Sequence, residues 1–404
     1  MKCGLLGKKL GHSYSPQIHV RLADYSYTLI EKNPEELSDF FETNNFTGLN
    51  VTIPYKKDVI PYCNKLSKCA EKIGAVNTIV RRSDGTLIGH NTDYYGFNSM
   101  INKSGLSVAG KKVLVLGSGG ASVTATTVLK ELNANVVTIS RSGENNYENI
   151  GIHKDAAVIV NTTPVGMYPN NGESPVNLDL FPHLEGVLDL IYNPSKTQLL
   201  LDAEKRGIIH ENGLWMLIAQ AKESAEWFTG QAIDDKIIEI IHTELKMQME
   251  NIVLIGMPGC GKSTIGKELA DRLGKEFVDA DSEIEHIVQM SIPDIFQVHG
   301  QDHFRRLETE VLQTLGKRSG LVIATGGGCV TKKENYPLLH QNGTIIWIKR
   351  DIKLLPINGR PLSQSENLEH MYSVRKPLYQ AFADSSVSNN LSVNETIAQI
   401  MKGY

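Results

Sequence analysis

The stretch GMPGCGKST, residues 256–264, constrains the fold of this chain more than any other segment of its length. A glycine, four variable residues and Gly-Lys-Ser follow an apolar, strand-like run, NIVLI, and precede a helix-like run, TIGKELADRLG. In that setting, backbone N–H groups and the first turn of the helix surround phosphate oxygens. The segment therefore predicts a parallel α/β domain that binds a nucleoside triphosphate.

Within this loop, Lys262 is expected to pair with β- and γ-phosphate oxygens, and Ser263 is expected to ligate Mg²⁺. The motif alone does not separate a kinase from a switch or a motor. The predicted ATP-binding residues are Gly259, Cys260, Gly261, Lys262, Ser263 and Thr264.

A second glycine-rich turn, GSGGAS at 117–122, also lies between a strand-like and a helix-like run. Gly117 and Gly119 fit the first two positions of a dinucleotide-binding turn, whereas Ser122 takes the third. The next strand-like run ends in Ser-Arg-Ser at 140–142, where an NAD site would place an acidic residue. An arginine there suits a 2′-phosphate, so the sequence favours NADP over NAD.

Short apolar runs alternate with helical patterns along the whole chain, which predicts an α/β fold throughout. We predict a substrate lobe at 1–103 plus about 213–240, a Rossmann-type NADP lobe at 104–212, and a P-loop NMP-kinase-like parallel α/β domain at 250–404. The first two lobes form one region, 1–246. Asp84-Gly85 predicts a hairpin turn, and 231–250 is expected to be a helical junction.

Composition excludes several classes of protein. The net charge of −4 and the pI near 6.3 argue against nucleic-acid binding. The five cysteines are odd in number and form no CxxC pair, so neither a disulfide framework nor a zinc knuckle is expected. No apolar run approaches the length of a membrane span, so we expect a cytoplasmic protein with no membrane partner.

Candidate substrate-binding residues stand in the first hundred positions. In GHSYSPQIH, Ser15 precedes Pro16, which predicts an N-cap and first helical residue, and Ser13 lies in the loop before it. Two hydroxyls at a helix N-terminus can hold a carboxylate. Lys56 follows the strand-like NVTI, and Asp93 precedes a helix-like run; each alone could be an ordinary surface charge.

Taken together, GHSYSPQIH, VTIPYK, GAVNT, GHNTD, GSGGAS, SRS, NTTPVGM, DLIYNP and GLWMLIAQA resemble, in order, the shikimate dehydrogenases over roughly residues 1–240. The resemblance implies that Lys56 and Asp93 form the catalytic pair. It implies substrate contacts from Ser13, Ser15, Thr52, Asn77, Asp93, Tyr192 and Gln220. It implies NADP contacts from Gly117, Gly119, Gly120, Ala121, Arg141, Thr162, Met167 and Gly213.

Lys56 has a physical rationale in such a pair. A carboxylate beside a lysine favours the charged ammonium, which can donate a proton to the alkoxide that forms as hydride reaches a ketone. The reverse reaction needs the lysine to lose that proton first, so oxidation is expected to be favoured at high pH.

The segment 250–404 resembles the shikimate kinases through its phosphate loop and FVDADSEIE, HFRRLETE, TGGG, GRPL and YSVRKPLY. The resemblance implies that Asp281 accepts a hydrogen bond from the substrate hydroxyl and aims that hydroxyl at the γ-phosphate, that Asp279 supports Mg²⁺, and that Arg360 on a lid stabilises the transferring phosphoryl group. Counting Lys262, the predicted catalytic residues here are Lys262, Asp281 and Arg360. The implied substrate contacts are Asp281, Arg305, Gly327, Gly328 and Arg375. Gln301 departs from the usual glutamate, and the lid is short.

The combined prediction is a bifunctional enzyme that reduces 3-dehydroshikimate with NADPH and then phosphorylates the shikimate 3-hydroxyl with MgATP. One alternative is an inactive sensor of shikimate or quinate, and another is a quinate/shikimate dehydrogenase of broader specificity. The expected partners are small molecules. The sequence does not determine the oligomeric state, and a homodimer is one of the alternatives.

Overall fold

The computed structural model describes residues 1–11, 13–43, 45–355 and 368–403. Contacts divide the chain into two compact units, and each is described by itself. The first unit comprises Met1–Gly166, Glu173–Tyr192 and Leu199–Leu245, and the second comprises Met167–Gly172, Asn193–Gln198 and Lys246–Tyr404. Among the described residues, no helix has both the length and the apolar character needed to cross a membrane.

The first lobe of unit 1 is a six-stranded mixed sheet in the order β2-β1-β3-β5-β6-β4. Its parallel strands β1, β2 and β3 are followed by the antiparallel hairpin β5–β6, which confirms the turn predicted at Asp84-Gly85. The strands are β1 Lys2–Gly7, β2 Ser26–Glu31, β3 Gly48–Val51, β4 Lys65–Leu66, β5 Thr78–Arg81 and β6 Leu87–His90. The helices are α1 Ser15–Leu22, α2 Leu37–Thr43 and α3 Lys68–Ile73.

The second lobe is a five-stranded sheet in the order β11-β10-β9-β7-β8, with every pair parallel. Strand order reverses between β7 and β9, the position where doubly wound sheets bind ligands. The strands are β7 Lys112–Leu116, β8 Asn135–Ile139, β9 Val158–Asn161, β10 Gly186–Asp189 and β11 Ile209–Glu211. The helices are α4 Asp93–Ser104, α5 Gly120–Glu131 and α6 Gln198–Lys205.

Two helices follow the second sheet. The first, α7 Leu214–Thr229, packs on α4 and α1 and reaches β3 and β5 of the first lobe. The second, α8 Lys236–Met249, fills most of the segment predicted as a helical junction. The turn between them is held by the buried Lys222, whose Nζ lies 2.7 Å from Asp235 and 2.9 Å from Glu226.

The main part of unit 2 is a parallel sheet in the order β13-β14-β12-β15-β16. Its strands are β12 Asn251–Ile255, β13 Glu276–Asp279, β14 Leu321–Ala324, β15 Gly343–Lys349 and β16 Ser385–Ser388. Its described helices are α9 Lys262–Leu273, α10 Ala280–Val288, α11 Ile292–Lys317, α12 Asn335–His340, α13 Leu368–Phe382 and α14 Val393–Gly403. Non-helical backbone at Gly300 interrupts α11. The predicted α/β class is confirmed in both units.

Candidate active sites

In unit 1, three chain segments meet at one edge of the first-lobe sheet. Strand β3 ends there, β5 begins there, and β6 ends there, because β5 is antiparallel to both of its neighbours. Lys56, Asn77 and Asp93 follow or precede those strand ends. Local sequence alone could not place them together, because 37 positions separate Lys56 from Asp93.

The predicted catalytic pair is in direct contact. Lys56 donates a hydrogen bond of 2.6 Å from Nζ to Oδ2 of Asp93, and the side chains are 27% and 13% exposed. The backbone of Lys56 is also fixed, because its carbonyl accepts a hydrogen bond from the N–H of Val76 at 2.7 Å. The ammonium is thus held by a partly buried carboxylate and still reaches solvent, as a proton donor to a bound ligand must.

A buried hydroxyl network lies behind this pair. Asn77 Oδ1 accepts from the N–H of Thr92 at 2.8 Å, and Gln220 Oε1 accepts from Thr92 Oγ1 at 3.3 Å. Ser224 Oγ lies 3.0 Å from Thr92 Oγ1 and 2.9 Å from Thr78 Oγ1, and all three hydroxyl residues have no measurable exposure. The network therefore ties two predicted substrate contacts to the residue immediately before Asp93.

Sequence reasoning missed Thr78, Thr92 and Ser224. Two signals could have found them: Thr92 lies inside the quoted GHNTD motif, and Ser224 follows Gln220 by one helical turn on α7. Ser224 also accepts from Asn50 Nδ2 at 2.8 Å and donates to the carbonyl of Gln220 at 2.9 Å.

The prediction that Ser15 is the N-cap of α1 is wrong by one residue. Tyr14 is the N-cap and Ser15 is the first residue of the helix; the N–H of Ser15 donates to Ser13 Oγ at 3.2 Å. The two hydroxyls still stand together at the N-terminus of α1. Tyr192 packs edge-on against the Tyr14 ring, with the centroids 6.2 Å apart. Thr52, half-buried, directly follows β3.

The dinucleotide turn leaves room for a ligand. A Cβ added at Gly119 or Gly120 would meet no atom within 4 Å, whereas one at Gly117 would lie 2.7 Å from Thr162 Oγ1. The turn thus packs on β9 from one side and is open at the start of α5, where a pyrophosphate would lie. This space, with Ala121 next in the helix, fits a dinucleotide.

The remaining predicted NADP residues differ in their surroundings. Arg141 is exposed at the second position after β8, as a ligand of a 2′-phosphate should be. A Cβ added at Gly213 would lie 2.1 Å from the carbonyl oxygen of Leu190. Close packing is therefore sufficient to explain why this position is a glycine. Met167 is 45% exposed and belongs to the second unit.

In unit 2, the phosphate loop has the expected geometry. Gly261, with φ of 102°, is the N-cap of α9, and this left-handed conformation favours glycine. Lys262 is buried, and its Nζ donates to the carbonyls of Gly256 at 2.9 Å and Met257 at 3.1 Å. Those two contacts hold the ammonium inside the phosphate loop. Cys260 is fully buried in the core and Thr264 lines the cavity described below.

Oxygen donors suited to Mg²⁺ lie beside this loop. Ser263 Oγ donates to Asp279 Oδ2 at 2.6 Å, so the two predicted metal ligands are adjacent. Hydroxyl and carboxylate oxygens are the donor set that Mg²⁺ prefers, and the pair therefore fits that ion. Asp279 also caps α10 by accepting from the N–H groups of Asp281 and Ser282.

Asp281 lies in an electrostatically unfavourable place for a charge. Burial, and secondly the negative charge of Glu308, raise the pKa of Asp281 to about 7. Its Oδ1 is buried and has no hydrogen-bond partner among the described residues. Perturbed carboxyls in clefts are characteristic of functional sites.

The TGGG segment brings these groups together. A Cβ at Gly326 would lie 2.5 Å from Glu308 Oε1 and 2.7 Å from Asp281 Oδ1. At Gly328 it would overlap the guanidinium of Arg305, which pairs with Glu308 at 2.6 Å. A Cβ at Gly327 would lie 2.6 Å from Pro258, so each glycine of the segment packs closely against a neighbour while also lining the cavity described below. Arg375 and the hydroxyl of Tyr379 both donate to the carbonyl of Gly327.

A cavity of about 540 Å³ contains these groups. Its lining includes the phosphate loop, Asp279, Asp281, Arg305, the glycines of TGGG and Arg375, so the structure brings the predicted kinase residues together. Arg350, which the sequence analysis did not single out, lines the same cavity. Arg360 lies outside the described residues.

Two family models match separate parts of the chain. A family model for shikimate kinase matches residues 258–403, and one for the shikimate dehydrogenase substrate binding domain matches residues 5–79. A curated shikimate dehydrogenase (NADP(+)) from Clostridium perfringens is 36% identical over 266 residues, which cover 60% of this chain and 97% of the relative.

Two solved structures are similar. Shikimate dehydrogenase 1 from Peptoclostridium difficile has a TM-score of 0.57 and 36% identity, covering 61% of this chain and 98% of its own. A chorismate mutase/shikimate 5-dehydrogenase fusion protein from Clostridium acetobutylicum also has a TM-score of 0.57, with 37% identity, covering 60% and 96%. The chain therefore belongs to the shikimate dehydrogenase family and carries a shikimate kinase domain at 258–403.

Proposed function

We propose that this chain performs two consecutive steps: NADPH-dependent reduction of 3-dehydroshikimate to shikimate, and ATP-dependent phosphorylation of the shikimate 3-hydroxyl. The observation that carries the first step is the hydrogen bond between Lys56 and Asp93 at the edge where the proposed substrate residues meet. The family assignment supports both activities.

In the first step, the chain's own residues hold the ketone and move one proton. The hydroxyls of Ser13 and Ser15 and the N-terminus of α1 hold the substrate carboxylate. Asn77, Gln220, Thr52 and Tyr192 contact the ring. Lys56, held in place by its hydrogen bond to Asp93, donates its proton to the carbonyl oxygen as negative charge develops there.

NADPH would supply the hydride. Its pyrophosphate would lie over Gly119, Gly120 and Ala121, where an added Cβ at either glycine meets nothing. Gly117, Thr162 and Gly213 complete the proposed dinucleotide contacts within unit 1. Arg141 would pair with the 2′-phosphate, because a guanidinium matches phosphate geometry with two parallel hydrogen bonds.

In the second step, the cavity of unit 2 binds two anionic groups, the phosphates of ATP and the carboxylate of shikimate, and orients the shikimate 3-hydroxyl. The phosphates of ATP would be held by Lys262 and by the backbone N–H groups of Gly259, Cys260, Gly261, Ser263 and Thr264. Mg²⁺ would be held by Ser263 and Asp279. Arg305 and Arg375 grip the shikimate carboxylate beside Gly327 and Gly328.

Asp281 accepts the proton of the substrate 3-hydroxyl and directs the hydroxyl oxygen at the γ-phosphate. Arg360, carried on the segment that the resemblance assigns to a lid, would neutralise charge on the transferring group.

The test is one assay with 3-dehydroshikimate, NADPH and MgATP. We expect NADPH consumption followed by shikimate 3-phosphate. Lys56→Ala should stop the first step and leave phosphorylation of added shikimate intact, and Lys262→Ala should do the reverse. An inactive sensor would show ligand binding without turnover in the wild type, which would refute the proposal.

The direction and specificity of the first step need a separate comparison. Quinate with NAD, and shikimate with NADP, should be assayed side by side as oxidation substrates. We expect the NADP–shikimate pair to have the higher kcat/KM, because Arg141 occupies the position of the acidic residue that an NAD site uses. A higher value for NAD with quinate would assign the first half to the broader-specificity class.

A further inference from the structure

Arg350 occupies a position that the known motifs do not cover. It is the first residue after β15, the strand that pairs with β12, and β12 leads into the phosphate loop. Its neighbours are anchored: the carbonyl of Lys349 accepts from the N–H of Asn389 at 2.7 Å, and the N–H of Asp351 donates to Asn390 Oδ1 at 2.8 Å. The backbone at Arg350 is therefore fixed beside the loop.

Among the four cationic side chains that line the cavity, Arg350 has a distinct environment. Lys262 donates to carbonyls of its own loop, Arg305 pairs with Glu308, and Arg375 donates to the carbonyl of Gly327. The Nε of Arg350, like the Nε of Arg305, is buried and has no hydrogen-bond partner within the residues that the structure describes; Arg350 differs because, unlike Arg305, it has no described ion pair for the rest of its guanidinium.

The acidic lining residues do not supply that partner. Asp279, Asp281 and Glu285 all line the cavity, but none of them forms a described ion pair with Arg350. A buried guanidinium N–H without an acceptor costs free energy, and such groups in clefts are commonly satisfied by a ligand.

We propose that Arg350 is a nucleotide-binding residue whose guanidinium donates to a phosphate of ATP and ADP. The inference rests on the proposed kinase function and adds a cation from the sheet to those of the phosphate loop. A guanidinium presents several N–H donors in one plane and remains charged at all physiological pH values, which suits phosphate.

Position favours the phosphate over the substrate carboxylate as the ligand. The carbonyl of Ile348, two residues before Arg350, lies 2.5 Å from where a Cβ of Gly256 would stand, so the chain here touches the start of the phosphate loop. The proposed carboxylate contacts, Arg305 and Arg375, come from helices α11 and α13 instead.

The test uses the full chain with Arg350→Gln and Arg350→Lys. We expect Arg350→Gln to raise the KM for ATP and the Kd for ADP by roughly 10- to 100-fold, the usual effect of losing a hydrogen bond to a charged group. The KM for shikimate should change by less than about twofold. Arg350→Lys should keep part of the affinity.

Arg318→Gln is the matched control, because it removes an equal charge from the same domain. Arg318 is exposed and pairs with Glu276, the first residue of β13, at the opposite edge of the sheet. This variant should leave both constants unchanged. The dehydrogenase rate of each variant confirms that the same polypeptide has folded in its first half.

Unchanged ADP affinity in Arg350→Gln would overturn the inference, as would a rise confined to the KM for shikimate, which would assign Arg350 to the carboxylate. ADP binding, measured by calorimetry, needs no turnover. If the wild type bound ADP but did not phosphorylate shikimate, the proposed function would fail while the role of Arg350 could still be decided.

Discussion

Lys56 Nζ and Asp93 Oδ2 lie 2.6 Å apart, although Lys56 lies in the turn after β3 and Asp93, 37 positions later, is the first residue of α4. The pair is partly buried, so solvent screens its attraction less than at an open surface. Lys56→Ala should lower kcat for 3-dehydroshikimate reduction by roughly 10²- to 10⁴-fold, since the proton donor is lost. Initial rates of NADPH consumption measure the effect.

Two comparisons make that prediction specific. Lys57→Ala changes the adjacent exposed lysine and should leave the rate unchanged. The kinase rate of Lys56→Ala with added shikimate should equal that of the wild type. A Lys56→Ala enzyme that retained full reductase activity would remove this residue from the mechanism.

Ser224 is predicted to act as a positioning residue for the same site. Its hydroxyl is fully buried among Asn50, Thr78 and Thr92, so Ser224→Ala leaves their polar groups short of a partner. The free energy of unfolding should fall by roughly 1–3 kcal/mol. If the network also orients Asn77 and Gln220, the KM for 3-dehydroshikimate should rise while the KM for NADPH stays constant.

Thr229→Ala is the control for Ser224. It lies on the same helix, and its hydroxyl donates to the carbonyl of Ala225 at 2.8 Å, but it takes no part in the network. A change of equal size in both variants, for stability and for both KM values, would show that Ser224 acts only through the helix.

The sequence predicted the local motifs of these sites better than the contacts between residues that are far apart in the chain. The phosphate loop, the dinucleotide turn and the Asp84-Gly85 hairpin depend on residues adjacent in sequence, and local glycine chemistry makes such features readable. The hydroxyl network depends on three elements meeting in the tertiary fold. Thr78 and Thr92 lie inside quoted motifs and Ser224 lies one helical turn after Gln220, but no local pattern shows that these three hydroxyls meet.

The TGGG segment shows a related limit. The resemblance implies substrate contacts at Gly327 and Gly328, but it does not show that the space beside Gly326 and Gly328 is filled by Asp281, Glu308 and Arg305. Nothing in the local sequence KRD at 349–351 marks Arg350 as a residue that lines a cavity. Whether a glycine admits a ligand or a distant side chain is decided by packing, which becomes visible only in three dimensions.

The raised pKa of Asp281 predicts the pH dependence of the kinase. The carboxylate must be unprotonated to accept the hydroxyl proton, and its pKa of about 7 places the change near neutrality. The kcat/KM for shikimate should therefore fall as the pH drops through about 7. The rate profile from pH 5.5 to 9, at saturating MgATP, measures this limb.

Glu308 contributes to that raised pKa through its negative charge. Glu308→Gln should move the acidic limb to lower pH, although the lost ion pair with Arg305 will also raise the KM for shikimate. A limb that remains at the same pH in Glu308→Gln would argue that burial alone sets the pKa of Asp281.

The same shift makes a prediction about stability. A carboxyl whose pKa is higher in the folded than in the unfolded state binds its proton more tightly when folded, so its ionisation opposes folding. This cost is absent below the unfolded value, near 3.8, grows as the pH rises to about 7, and is then constant. Asp281→Asn, which carries no charge, should therefore unfold at a higher temperature than the wild type at pH 8.

The advantage of Asp281→Asn should shrink as the pH is lowered from 7 towards 4. Calorimetric scans of the full chain, with the dehydrogenase transition as an internal reference, measure the difference. The variant should also lose most kinase activity, because its amide cannot accept the proton. A variant with equal or lower stability at pH 8 would contradict the assignment of Asp281 as a buried charge that is kept for catalysis at the expense of stability.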